Sequence, residues 1–236
     1  LIYLIPSELL EGEVKPIPAY VLNAVKACQV FFVENERTAR RYLKRLWKEM
    51  VVDDYEWIAI HKAETQVLDR FEKSLKAGKT VGVISEAGCP GVADPGQILV
   101  ARAQQMGITV KPLVGPSSIL LALMASGLNG QSFRFNGYLP IDGADRKKAI
   151  LRMEEEAWKQ QTTQIFIETP FRNDAIFKSL LDNCKDDTLL CLAVNITSPM
   201  EEFIRTLPIK KWKGEILPVI HKKPAIFLVG VPPANA

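Results

Sequence analysis

The residues that could take part in chemistry cluster at the ends of short β-prone runs. After TVGVI (80–84) comes SEAGCPGVADPG (85–96), twelve residues with three glycines, two prolines, two acids and nothing large. LIYLI (1–5) runs into Pro6, FFVE into NERT, VKPL into VGPSS, IFIE into TPFRN and LCLAV into NITSP. Five of these six loops hold a proline, a glycine or both. Glycine and proline after a strand are ordinary punctuation. A strand-to-helix link, however, needs only about two to six residues, and the 85–96 loop is longer. In open parallel sheets ligands bind outside the carboxyl ends of the strands, where glycine lets main chain approach closely. Together the loops predict a ligand crevice.

The absent motifs narrow the ligand. Neither the dinucleotide fingerprint GxGxxG nor the phosphate loop GxxxxGK[ST] occurs, and GCPGVADPG has no lysine to meet a phosphate. A nucleoside without a polyphosphate fits better. Glu34 and Arg37 end the second strand; they could position substrate or handle a proton, or form an ion pair capping the next helix. His61 could be a general base, but a lone histidine at a strand end is more often structural. Cys89 could be a reactive thiol or a small packing residue.

These loops need a scaffold, and the alternation of runs supplies one. Strands are expected at 1–5, 29–34, 56–60, 80–84 and 108–113. Helices follow over 18–27, 38–49, 64–76, 95–105 and 117–126. Pro18 suits a first turn and Gly78 a helix C-cap. Five strand–helix repeats make a parallel α/β sheet. GLNGQ (127–131) reads as a boundary, giving an N-terminal α/β domain over 1–129 and a C-terminal α/β domain over 130–236. The second opens with SFRFNGYL, a charged helix over 145–159, TTQIFIE (162–168), a helix over 173–183 and TLLCLAV (188–194). It closes on three runs expected as strands: EEFIRTLP, EILPVI and AIFLVGV.

The 236 residues are 47% apolar and 24% charged, an ordinary globular balance. No run approaches the eighteen apolar residues of a membrane span. LIYLIP is too short for a signal sequence and lacks a basic flank. The chain opens on Leu1, so an initiator methionine and a few residues are expected before it. Cys28, Cys89, Cys184 and Cys191 form no CxxC pair, so no metal site is expected, and scattered thiols fit a reducing cytoplasm. Net charge is only +3, yet bases gather in three places. They are Arg37, Arg40, Arg41, Lys44, Arg45 and Lys48; then Arg146, Lys147, Lys148 and Arg152; then Lys210, Lys211 and Lys213. Such runs are usually solvated faces, but segregated positive charge also suits a phosphate backbone.

SEAGCPGVADPG followed by PLVGPSSILLALMASGL resembles the tetrapyrrole-methylase superfamily, and within it the branch of small-subunit ribosomal RNA 2′-O-methyltransferases. That branch carries SDAGTPxxxDPG, PGPSAxxxALxxSGL, AEDTR, LHxHNE, GFLP and YESPHR. Here the counterparts are VENER (33–37), IHKAET (60–65), GYLP (137–140) and FIETPFR (166–172), in the same order along nearly the whole chain. The resemblance implies a parallel-sheet N-terminal domain, a mixed-sheet C-terminal domain, S-adenosylmethionine held in the cleft between them, and a homodimer acting on ribosomal RNA or the small ribosomal subunit. It implies cofactor contacts from Pro6, from Ser85, Glu86, Ala87 and Gly88, from Val92 and Ala93, and from Ser117 and Ser118. From the second domain it adds Glu168, Thr169, Asn195, Pro224, Ala225 and Ile226. Glu86 would pair with the cofactor's amino group or ribose, or else remain a solvated acid. The pair Glu34 and Arg37 falls in the family motif as the candidate catalytic pair.

The departures fall mostly on the acceptor side. A TPIGNL-like loop becomes IPSELLEGE, the aspartate of AEDTR becomes Asn35, SDAGT becomes SEAGC, the histidine of YESPHR becomes Phe171, and a GE pair becomes Lys223 and Pro224. Two alternatives stay open: a tetrapyrrole or other small-molecule methyltransferase, although those carry a GDP-type loop, and a cofactor-binding paralogue that has lost catalysis.

Overall fold

The computed structural model describes residues 1–60, 64–94, 96–216 and 218–232. The chain divides into two compact units, Leu1–Ser117 and Ser118–Ala236.

The first unit holds strands β1 (Ile2–Ile5), β2 (Val30–Val33), β3 (Glu56–Ala59), β4 (Val81–Ile84) and β5 (Val110–Pro112). They form one sheet in the order β3-β2-β4-β1-β5, every pairing parallel. Helices α1 (Val21–Ala27), α2 (Glu36–Leu46), α3 (Glu64–Lys76) and α4 (Gln97–Gln105) are the crossovers. Alternate residues of each strand point to opposite faces, and both faces are covered. Val30 and Phe32 pack with Phe71 and Leu75 of α3 and Leu99 and Ala103 of α4. Phe31 and Val33 pack with Val21 and Val25 of α1 and Tyr42 and Leu43 of α2. Burial on both sides is why VFFV and VGVI are continuous apolar runs. Pro112 sits on the edge strand, where a missing N–H costs no ladder bond.

Local chemistry sets the helix ends. Asn35 is extended, and its Oδ1 accepts from the N–H groups of Arg37 (3.0 Å) and Thr38 (3.3 Å). Gly78, at φ 77°, lets α3 stop and turn into β4.

The second unit begins with α5 (Ser118–Ser126), followed by β6 (Phe133–Tyr138), α6 (Gly143–Gln160), β7 (Thr163–Ile167), α7 (Asn173–Asn183), β8 (Leu189–Val194), β9 (Phe203–Pro208), α8 (Ile209–Trp212) and β10 (Ala225–Gly230). The sheet order is β6-β7-β10-β8-β9; β6 and β7 are parallel and the remaining pairings antiparallel. Phe166, Phe227 and Leu192 bury one face against α6 and α7, with Phe177 edge-on to Trp212. Helix α5 packs against β9 and β10, and Thr206 donates its hydroxyl to Ser126 O at 2.7 Å. It therefore sits with the second unit, whereas the sequence puts it at the end of the first domain.

One expected strand is not formed. EILPVI forms no strand among its described residues; Ile216 is 97% and Val219 75% exposed. Pro218 cannot donate to a ladder, and β10 already has β7 and β8 on its two sides. After β9 the chain turns into α8 instead, seating Trp212 in the core with its indole N–H on Leu190 O at 2.8 Å.

Candidate functional site

In the first unit the loops after β1, β4 and β5 lock onto one another. Strands β2 and β4 end level, with the Glu34 N–H donating to Ile84 O at 3.2 Å. As the chain leaves β4, the Glu86 N–H donates to Glu34 Oε2 at 2.9 Å. Ser7 and Gly88 then form an antiparallel bridge: the Ser7 N–H donates to Gly88 O (2.8 Å) and the Gly88 N–H to Ser7 O (3.3 Å). The Ser7 hydroxyl donates to Ser85 O at 2.8 Å. Gly88 takes φ 75° to make this reversal. Pro6 is fixed on one side by the Tyr42 hydroxyl, which donates to its carbonyl at 2.6 Å. On the other side lies Gly115, where an added Cβ would stand 2.1 Å from Pro6 Cβ. The Cys89 sulfur lies 3.5 Å from Pro116 O.

The far half of the β4 loop closes on a carboxylate. Asp94 accepts from the N–H groups of Gly91 (2.9 Å to Oδ1) and Gly96 (2.7 Å to Oδ1). Between them Ala93 is held at φ 61°, a left-handed conformation rarely adopted by a residue with a Cβ. Strain of this kind gathers at ligand clamps. Ser85 and Gly88 are buried, while Glu86, Ala87, Val92 and Ala93 are exposed. The loop thus offers small residues and main chain on a braced support.

Glu34 is half-buried, and that burial raises its pKa; the Glu86 amide pulls it down, and the charges of Glu86 and Asp94 add to the rise. Burial, then the Asp94 charge, raises the Cys89 thiol. Both disfavour a thiolate, and the sulfur packs against the Gly115 and Pro116 carbonyls. The Glu34–Arg37 cap is not what forms: Asn35 caps α2, Glu34 turns to the β4 loop, and Arg37 is exposed. His61 lies outside the described residues.

The second unit gathers its own set. Glu168 is buried at the end of β7, and its Oε1 accepts the Thr169 N–H at 2.7 Å. Arg172 Nη2 lies 3.0 Å from Glu168 Oε2, but it hydrogen-bonds to Pro140 O at 3.2 Å. Glu168 Oε2 is left buried with a countercharge and no hydrogen-bond donor. Beside it, Asn195 takes φ 49°, donates its N–H to Pro224 O at 3.0 Å and its Nδ2 to Glu201 at 2.9 Å. Ala225 pairs with Val194 and Ile226 with Ile167. Glu168, Thr169, Asn195, Pro224, Ala225 and Ile226 therefore share one end of this sheet. Ser117 ends the first unit and Ser118 opens α5; both are half-buried.

Both sets suit a nucleoside. The first offers main chain and small side chains where an ordinary loop would place bulk, and the second holds a buried carboxylate oxygen still lacking a donor. Ser7, Tyr42 and Asp94 do the bracing and escaped the sequence reading. Only Asp94, in the DPG turn, carried a signal, that of a residue prone to bond nearby backbone.

The sequence model of Tetrapyrrole (Corrin/Porphyrin) Methylases matches residues 12–209. The chain is 29% identical over 235 residues to the ribosomal RNA small subunit methyltransferase I of Vibrio cholerae, covering 94% of this chain and 77% of that protein. It is 30% identical over 211 residues to the protein of that name from Halalkalibacterium halodurans, covering 86% and 67%. Among solved structures, the methyltransferase CobJ superposes with a TM-score of 0.63 at 17% identity, over 98% of this chain and 93% of that one. Uroporphyrin-III C-methyl transferase from Thermus thermophilus, complexed with S-adenyl homocysteine, gives 0.55 at 17% identity, over 97% and 96%. At these identities the two structures bear on fold, and the parallel and mixed five-stranded sheets agree with it. The family match spans most of the described chain, including every loop of the first unit's site except the one that follows β1, and on that ground this chain belongs to the tetrapyrrole (corrin/porphyrin) methylases.

Proposed function

We propose that this protein is an S-adenosylmethionine-dependent methyltransferase that methylates ribosomal RNA of the small subunit, with a ribose 2′-hydroxyl as acceptor. The observation that carries the reading is the braced β4 loop: Glu34 and Ser7 hold Ser85–Gly88, and Gly115 packs on Pro6, the residue before Ser7, while Glu86 and Ala87 stay open. The relatives from Vibrio cholerae and Halalkalibacterium halodurans are named as small-subunit ribosomal RNA methyltransferases, which supports the substrate class.

The residues proposed to hold the cofactor are Pro6, Ser85, Glu86, Ala87, Gly88, Val92, Ala93, Ser117 and Ser118. Glu168, Thr169, Asn195, Pro224, Ala225 and Ile226 are proposed from the second unit. When bound, S-adenosylmethionine supplies an activated sulfonium methyl. What remains for the chain is to bind, to exclude water and to align an acceptor oxygen. Glu34 fixes the loop through the Glu86 amide, and Arg37, exposed on the first turn of α2, is available to an incoming phosphate. A homodimer is proposed as well, supported by Leu120 and Met124, exposed one turn apart on α5, and so is a cytoplasmic location. Among the described residues no helix is long and apolar enough to cross a membrane.

The test is methyl transfer. Small ribosomal subunits from a strain lacking this protein should take up label from S-adenosylmethionine in its presence. Absence of label in the RNA, with cofactor binding intact, would rule the substrate out.

A further inference from the structure

The three basic runs do not end up alike. On α2, Arg40 is paired with Glu36, Arg45 with Glu8 and Glu11, and the Lys44 ammonium sits on Met50 O at 2.7 Å. Lys210 and Lys213 pair with Asp187 and Asp186. The run on α6 is split. Arg146 turns inward to Ser179 Oγ (3.1 Å) and Ile141 O (3.0 Å). Lys148, paired with Asp145 at 3.2 Å, and Arg152, one turn further on, line a groove of about 310 Å³ between α6 and the edge strand β6.

Strand β6 adds what the sequence did not reveal. Arg134 comes up opposite, and Glu156 holds both guanidiniums: Arg134 Nη1 at 2.9 Å and Arg152 Nε at 3.1 Å. Glu156 is only 21% exposed, whereas Arg134 is 55%, Arg152 74% and Lys148 79% exposed. One sunken carboxylate thus sets the spacing of two outward-facing guanidiniums and leaves each with donors to spare. At the end of the same strand Tyr138, 60% exposed, adds an aromatic surface, and Asn136 lines the floor. Three cations against two acids, the sunken Glu156 and the exposed Asp145 beside Lys148, leave net positive charge, and with an aromatic ring alongside they match a single nucleic-acid strand: phosphates on the fork and a base on the ring.

We propose that the β6–α6 groove binds single-stranded RNA, with Arg134, Lys148 and Arg152 on the phosphates and Tyr138 stacked on a base. The assignment rests on the reading of the protein as an RNA methyltransferase and specifies the surface that holds the strand. It uses no residue assigned to the cofactor.

The experiment measures binding of a fluorescently labelled 12-nucleotide single-stranded RNA across a salt series, without cofactor. Three phosphate contacts, at a slope of about 0.7 per contact for single strands, account for about 2 of the log–log salt slope. The triple variant R134A/K148A/R152A should lose about that much slope. Y138A should weaken binding by roughly 10-fold with the slope unchanged. R134K/R152K, which keeps the charge, should keep most of the slope. The control K210A/K213A removes two cations elsewhere and should bind within about 2-fold of wild type at about 0.15 M salt, where charges more than about 8 Å away are screened. Equal losses in control and groove variants, or wild-type binding by the triple variant, overturn the groove. Thermal midpoints report whether each variant is folded. Transfer assays run in parallel separate the two readings: RNA binding lost with the groove but no methyl transfer by wild type defeats the proposed activity alone, and transfer with groove-independent RNA binding defeats the groove alone.

Discussion

Replacing Gly115 by alanine tests how tightly the three loops of the first unit are locked. The added Cβ would stand 2.1 Å from Pro6 Cβ and 2.4 Å from Pro6 Cγ, where carbon atoms prefer about 3.5–4.0 Å. Something must move by roughly 1.5 Å. The proline ring has no rotamer to escape into, its carbonyl is tied to Tyr42, and the next residue is bridged to Gly88. Gly115 is not among the positive-φ glycines, so the cost is steric rather than conformational. Overpacking of this kind costs about 1–3 kcal/mol. For a chain of this size each kcal/mol lowers the midpoint by about 2–4 °C, so G115A should melt roughly 2–12 °C below wild type. The shift should pass through Ser7 to Gly88 and weaken S-adenosylhomocysteine binding as well. Gly130 has nothing within 4 Å of its Cβ position, and G130A should stay within about 0.5 kcal/mol. Differential scanning fluorimetry and calorimetric titration read both quantities. If G115A melts and binds like G130A, the locked-loop argument is wrong.

Three further outcomes follow from the geometry. The folded-state pKa of Glu34 is raised, mainly by burial, so its contribution to stability is present below the ordinary carboxylate range and lost as pH rises through the folded value. E34Q cannot ionise, and its stability relative to wild type should climb as pH rises above the ordinary carboxylate value of about 4.3; a constant difference in denaturant titrations would contradict this. Thr197 is β-branched, sits at φ 75° and buries a hydroxyl with no partner, so T197G should stabilise by about 1 kcal/mol, and a lower midpoint would count against the strain. Burial pushes Cys28 and Cys184 up to about 12 and Cys191 to about 11, and raises Cys89. At pH 8 all four should alkylate more slowly than a free thiol near 8.5, which mass spectrometry would show; faster labelling at Cys89 would reassign it as reactive.

Much of this architecture was readable because strong local signals agreed with burial. VFFV and VGVI are apolar throughout since both faces of a parallel sheet are covered, and Gly78 stops α3 where the sequence places it. EILPVI misled because composition marks a run as apolar without saying whether a neighbouring strand has a free edge. The division between the units was hidden for a related reason: α5 is apolar nearly all round, and only tertiary packing decides which sheet receives it. At the site, the loops themselves were legible from glycine, proline and length. Their bracing was not, since Ser7 and Tyr42 are ordinary residues whose partners lie 78 and 36 positions away. Arg134 shows the same limit, being a lone arginine until β6 brings it opposite α6.

The claim at the centre is that the β4 loop presents its backbone to a sulfur nucleoside. Calorimetric titration of the wild-type protein and of Ala87→Trp with S-adenosylhomocysteine tests it most directly, because Ala87 is exposed and the larger ring need not disturb the core. Saturable binding at one site per chain, abolished in A87W at an unchanged melting midpoint, is the predicted result. No binding by wild type, or equal affinity in the two proteins, would contradict it.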